Sequence, residues 1–90
     1  MLELRQTAQF RKDLKRARKR GLDLTLLDRV ITTLLSGEEL PTVHRNHALT
    51  GQYAGTYECH VQPDWLLIYG RDDAQLVLVA YRTGSHSDLF

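Results

Sequence analysis

Four histidines, one tryptophan and the closing stretch YRTGSHSDLF hold most of the groups in this 90-residue chain that could move a proton or grip a phosphate. His44 and His47 lie in HRNHAL. His60 is followed within five residues by Asp64 and Trp65 in CHVQPDW, and Arg82, His86 and Phe90 fall within nine positions at the end. Imidazole, with an ordinary pKa near about 6.5, can give or take a proton at neutral pH. Arginine keeps its charge and offers a planar fork that suits phosphate oxygens. Cleavage of an RNA phosphodiester asks for this set: a base for the ribose 2′-hydroxyl, an acid for the departing 5′-oxygen, and a cation for the charge that builds on phosphorus. The rings of Trp65 and Phe90 offer faces on which a splayed base could stack.

Other readings of the same residues stay open at this stage. His44 and His47 form an H-x-x-H pair that His60 or Asp64 could complete as a zinc site, but the pair lies in a loop without a helix to fix its spacing. No metal and no cofactor is therefore expected. Histidines in loops also commonly satisfy backbone groups, a reading that stays open for His47 and His86, and His44 is read as a loop residue. Cys59 is the only cysteine, which excludes an intramolecular disulfide and a four-cysteine metal site and suggests a small core thiol. Glu58 reads as an ordinary exposed strand residue.

The elements that must carry these groups follow from periodicity. Leu2 and Leu4 alternate with polar neighbours as a short strand. Thr7 can cap a helix whose inner face is Phe10, Leu14 and Ala17, ended by Gly21. A second helix runs from Asp23 to Ser36 on a stripe of Leu27, Val30, Ile31 and Leu34. Residues 38–54 lose all periodicity and read as a long loop. Then GTYECHV, WLLIYG and LVLVAYR read as strands with links too short for crossover helices, hence antiparallel neighbours. The expectation is one α+β domain over residues 1–90: a helical hairpin packed on one face of an antiparallel sheet of about four strands, its other face open. On that face strand alternation puts His60 and Glu58, opposite to Cys59 and Val61.

Net charge is +1, but it is segregated. Residues 1–22 carry eight Lys and Arg against Glu3 and Asp13, whereas residues 23–90 carry four against nine acids. The stretch FRKDLKRARKR would attract a polyanion or an acidic protein surface, and Lys12, Lys15, Arg16 and Lys19 are the candidate RNA contacts on it. No apolar run is long enough to span a membrane and the N-terminal residues lack a signal-peptide core, so a cytoplasmic location is expected.

The blocks NHALTGQYAGTYECHVQPDWLLIY and YRTGSHSDLF resemble the YafQ branch of the RelE superfamily, toxins of bacterial type II toxin–antitoxin systems. The H-x-L-x-G, H-V-x-P-D-W and R-T-G-[ST]-H motifs occur in the family's order along essentially the whole chain. The resemblance implies a RelE-like fold and a metal-free endoribonuclease that cleaves mRNA on the ribosome and is silenced by a cognate antitoxin. It assigns acid–base roles to His47, His60, Asp64 and His86, phosphate stabilisation to Arg82, and contacts with the message to Trp65 and Phe90. Where relatives often read D-H-P-L, this chain has Asn46-His47-Ala48-Leu49. A gyrase-inhibiting toxin on the same scaffold, or a plain RNA-binding module, is the alternative, although neither needs the histidine set. On this reading a chain ending before His86 should stay folded and lose its activity.

Overall fold

A computed structural model describes residues 1–90, in the order β1 (Glu3–Gln6), α1 (Ala8–Lys19), α2 (Leu24–Leu35), β2 (His47–Ala48), β3 (Tyr57–Gln62), β4 (Trp65–Asp72), β5 (Val77–Gly84) and α3 (His86–Leu89). Each helix starts where a side-chain oxygen meets a free backbone N–H. Thr7 Oγ1 accepts from Phe10 N at 3.0 Å and Asp23 Oδ1 from Thr25 N at 3.0 Å. Each of the first two helices is followed by a glycine with positive φ, Gly21 at 77° and Gly37 at 81°, as the left-handed exit from a helix requires.

The sheet has five strands in the order β1-β5-β4-β3-β2. β3, β4 and β5 form the expected antiparallel meander, while β1 pairs in parallel with β5, Glu3 opposite Val77 through Gln6 opposite Ala80. The sheet is therefore mixed. The added strand, β2, comes from the presumed loop: residues 38–54 contain short 3-10 turns at Thr42–His44 and Gly51–Tyr53 with the two-residue β2 between them. Two residues are too few to show an alternation, which is why periodicity alone does not reveal the strand.

Both helices pack on one face. Phe10, Leu27, Val30, Ile31 and Leu34 meet Cys59, Val61, Trp65, Leu67, Tyr69, Leu78 and Ala80 in the main core. The opposite face is not open as expected. Leu66 and Ile68 are covered by Leu89 of α3 with Leu49 and Tyr53 beside them, so β4 is buried on both sides from Trp65 to Gly70. No helix is long and apolar enough to cross a membrane.

Residues 86–90 thus belong to the fold: removing them would uncover Leu66 and Ile68, which revises the expectation for a shortened chain. Leu89→Ala should cost about 2–4 kcal/mol in urea unfolding. Phe90→Ala, at a ring 63% exposed, should cost less than about 1 kcal/mol.

Candidate active site

Cross-strand register places the functional side chains in rows. His47 lies opposite Glu58, Glu58 opposite Ile68, and Ile68 opposite Arg82, while His60 lies opposite Leu66 and Leu66 opposite Gly84. Side chains of paired residues share a sheet face. Arg82 reaches this face because Tyr81 is an extra residue: Ile68 pairs with Arg82 but Tyr69 pairs with Ala80. Without that bulge Arg82 would follow Leu78 and Ala80 towards the helices.

The three candidate imidazoles are held in the same manner. Nδ1 of His47 meets the Arg45 carbonyl at 2.7 Å, Nδ1 of His60 the Pro63 carbonyl at 3.2 Å, and Nδ1 of His86 a carboxylate oxygen of Asp64 at 2.7 Å. Each partner can only accept, so Nδ1 carries a proton and donates, which leaves Nε2 as the atom able to exchange one. Nε2 of His47 and Nε2 of His60 lie 3.6 and 3.7 Å from the same Glu58 oxygen. The His60 and His86 rings stand 5.7 Å apart between centroids. His60 is the most covered of the three, while His47 and His86 are about half exposed.

Asp64 also accepts the His86 backbone N–H, at 2.9 Å. That hydrogen bond, together with the one from the ring, holds the Asp64 carboxyl below the ordinary range. The turn carrying His86 is fixed by a capping box: Ser85 Oγ accepts from Asp88 N, and Asp88 accepts from Ser85 N. Arg20 grips Asp88 through both terminal nitrogens, at 2.6 and 3.1 Å, fastening this turn to α1. Gly84 is needed here because an added Cβ would come within 2.9 Å of Asp88 Cβ.

Several side chains stand differently from their sequence reading. Trp65 offers no surface to a base: odd positions of β4 face the helices, the ring is 2% exposed, and its Nε1 donates to Thr83 Oγ1 at 2.9 Å. Arg82 is not a free cation but is paired with Asp13, Nε to Oδ2 at 2.8 Å. Arg16 is drawn inward to Asp13 at 3.1 Å and Asp88 at 4.0 Å, whereas Lys12, Lys15 and Lys19 stay exposed on α1. Phe90 is exposed and packs edge-on against Tyr53 at 5.5 Å. His44, read as a loop residue, turns its Nδ1 to the His60 carbonyl at 2.6 Å and anchors the loop.

Glu58 and Asp13 are the polar residues that sequence reasoning passed over. Glu58 is 5% exposed and Asp13 2% exposed. Asp13 has a sequence signal, since it occupies the Phe10–Leu14–Ala17 face at one helical step. Glu58 has none. Asn46, where relatives often carry Asp, accepts from the hydroxyl of Tyr69 at 2.7 Å, and burial pushes that phenol up to about 12. Burial likewise pushes the Cys59 thiol up to about 12, which makes it an inert core group.

Donor atoms of Glu58, His60 and His86 all lie within 4.8 Å of one another and could hold a metal ion. This set differs from the H-x-x-H pair, since His44 turns away to anchor the loop. A carboxylate and two imidazoles suit a borderline ion such as zinc or copper.

A small α+β domain with anchored imidazoles, a carboxylate-held arginine and a basic helix flanking them is the class that the geometry defines. Residues 2–90 match the family described as bacterial toxin of type II toxin–antitoxin system, YafQ, and the chain belongs to that family. The mRNA interferase toxin YafQ of Escherichia coli K12 is 38% identical over 89 residues, covering 98% of this chain and 95% of the relative. The E. coli DinJ–YafQ complex contains a chain of the same fold, 37% identical, with a TM-score of 0.91 over 100% of this chain and 99% of that one. A metal-bound toxin from Helicobacter pylori is 39% identical, with a TM-score of 0.94 over the whole of both chains.

The Asp88 carboxyl is held far below the ordinary range, first by the Arg20 hydrogen bonds and then by the Ser85 N–H. Burial pushes Asp13 up, but hydrogen bonds from Arg82, Thr83 and Gln9 outweigh it and the net direction is down. Folded values below the unfolded ones mean that the ionised forms stabilise the fold fully above a pH of about 4, and that this contribution is lost as pH falls through the folded values. Urea midpoints should therefore hold down to about pH 4 and fall on further acidification towards about pH 2, with a shallower acid limb in Asp88→Asn.

Proposed function

We propose that this chain is the toxin of a type II toxin–antitoxin pair and an mRNA endoribonuclease acting on the translating ribosome in the cytoplasm. The observation that carries the reading is the common anchoring of His47, His60 and His86 through Nδ1, with Nε2 left for proton transfer beside Arg82. Two imidazoles 5.7 Å apart can bracket a phosphodiester, one drawing the proton from the 2′-hydroxyl and the other returning one to the leaving 5′-oxygen. The 2′-oxygen then closes on phosphorus, leaving a cyclic phosphate, while Arg82 stabilises the charge on the non-bridging oxygens.

Asp64, which the motif places among the acid–base groups, serves here to orient His86, since it accepts both the ring and the backbone N–H. Glu58 stands between His47 and His60, one of its carboxyl oxygens 3.6 and 3.7 Å from their Nε2 atoms. Phe90 is the most exposed aromatic and is available for a base, and Lys12, Lys15 and Lys19 supply contacts for ribosomal RNA. Trp65 acts by supporting β5 from below. An acidic antitoxin segment suits the same basic helix, and the E. coli relative's complex with DinJ supports a cognate antitoxin here.

None of these steps requires a metal. An ion seated on Glu58, His60 and His86 would occupy the Nε2 lone pairs that proton transfer uses.

Adding the purified chain to a translation reaction and mapping 5′ ends on the message tests the reading. Cuts should depend on ribosomes, and His60→Ala and His86→Ala, folded by circular dichroism, should each cut about 10²–10⁴-fold more slowly. Intact message in a reaction that the toxin arrests would overturn the nuclease assignment. Loss of cutting on adding EDTA at concentrations that spare the ribosome would overturn the metal-free route.

A further inference from the structure

The basic helix α1 carries a single acid, and that acid is turned inward. Oδ1 of Asp13 accepts from Gln9 Nε2 at 3.1 Å, Arg16 Nη2 at 3.1 Å and Arg82 Nη2 at 3.3 Å. Oδ2 accepts from Arg82 Nε at 2.8 Å and from the Thr83 backbone N–H at 3.1 Å. Arg82 is thus engaged with Asp13 along one edge of its fork, through Nε and Nη2; its Nη1 lies outside that contact, and the Tyr53 hydroxyl is a further neighbour of the guanidinium. One carboxylate between two guanidiniums leaves a net positive charge, so Asp13 fixes the direction of Arg82 without cancelling it.

Closing the free edge of β5 does not by itself demand a carboxylate. Two residues earlier the hydroxyl of Thr7 closes that edge by donating to the Tyr81 carbonyl at 2.9 Å, and a hydroxyl or an amide could likewise accept the single Thr83 N–H. A carboxylate is required where one side chain must receive that N–H and also hold a guanidinium in a fixed plane. Resting on the nuclease reading above, we propose that Asp13 is a positioning residue of the reaction, holding Arg82 so that its side away from Asp13 meets the phosphate as negative charge builds there. Preorganised charge of this kind acts on the transition state without reorganising during the step, and misplacement by about 1 Å can cost up to about a hundredfold in rate.

The test pairs rate with binding. Asp13→Asn keeps the shape, removes the charge and raises the net charge of the α1 surface by one. Its cleavage rate, corrected for the folded fraction, should fall at least about tenfold while its binding to ribosomes, read by sedimentation, holds or tightens. Proportional loss of cutting and binding that disappears after that correction would overturn the proposal. Arg82→Lys keeps both the positive charge and Asp13 but lacks the fork, which guards against a poorly folded Asp13 variant; it too should lose at least about tenfold, and a wild-type rate would overturn the proposal. In an Arg82→Ala background, Asp13→Asn should cause no additional loss, since it acts through that arginine. A further tenfold drop there would overturn the link. Slow cutting by Arg82→Ala combined with normal cutting by Asp13→Asn would sink the positioning role alone, whereas a wild-type chain that cuts no message would sink the nuclease reading itself.

Discussion

The contact on which the remaining geometry depends is the Asp13 carboxylate against the upper half of β5. β1 has four residues and β5 has eight, so half of β5 has no strand on that side. A buried N–H left there without a partner would cost about 1–3 kcal/mol. α1 fills the gap directly after β1 ends: Thr7 bonds to Ala80 and Tyr81, and Asp13 takes the Thr83 N–H. The helix that looks from its composition like a solvated basic rod is therefore also an edge element of the sheet. Arg16 on the helix and Arg20 just after it join it to Asp88 and so to the turn that bears His86.

The imidazoles show how little freedom the arrangement leaves. Each Nδ1 is tied to an oxygen from one of two turns: the turn before β2 for His47, and the β3–β4 turn for both His60, through Pro63, and His86, through Asp64. A ring held at one nitrogen presents the other in a fixed direction, which lowers the entropy lost on meeting a substrate. No buried side-chain nitrogen or oxygen lacks a partner, so this polar cluster is accommodated without an orphaned group. Tyr81 contributes as the bulge residue, its ring lying against Gly70, where a Cβ would meet it at 2.8 Å.

Much of this could be read along the chain, for reasons that explain the omissions too. α1, α2 and the β3–β5 meander announce themselves because burial is one-sided and periodic, and Cys59 falls on the core face by simple alternation. β2 and α3 are too short to carry a period. Parallel pairing of β1 with β5 joins residues 74 positions apart, such as Glu3 and Val77, and no local pattern records it. A tryptophan beside a turn looks available for stacking, yet the strand parity of Trp65 places it under the helices. Arg82 required the bulge as well as the parity, and Glu58 became buried only through β2, Ile68 and the covering of the second face.

The sheet order also has a bearing on the time at which the molecule can first exist. β5 is the last strand in the sequence yet stands between β1 and β4. During synthesis β1 and α1 emerge early and must wait for their partner strand, and the contacts that close over this long separation carry the largest loop-closure entropy. Arg82 and the anchored His86 arrive with that same strand and the turn after it. A partly made chain therefore holds neither a complete sheet nor a complete set of imidazoles, and the ribosome that makes it is not exposed to a finished site until those residues have left the exit tunnel.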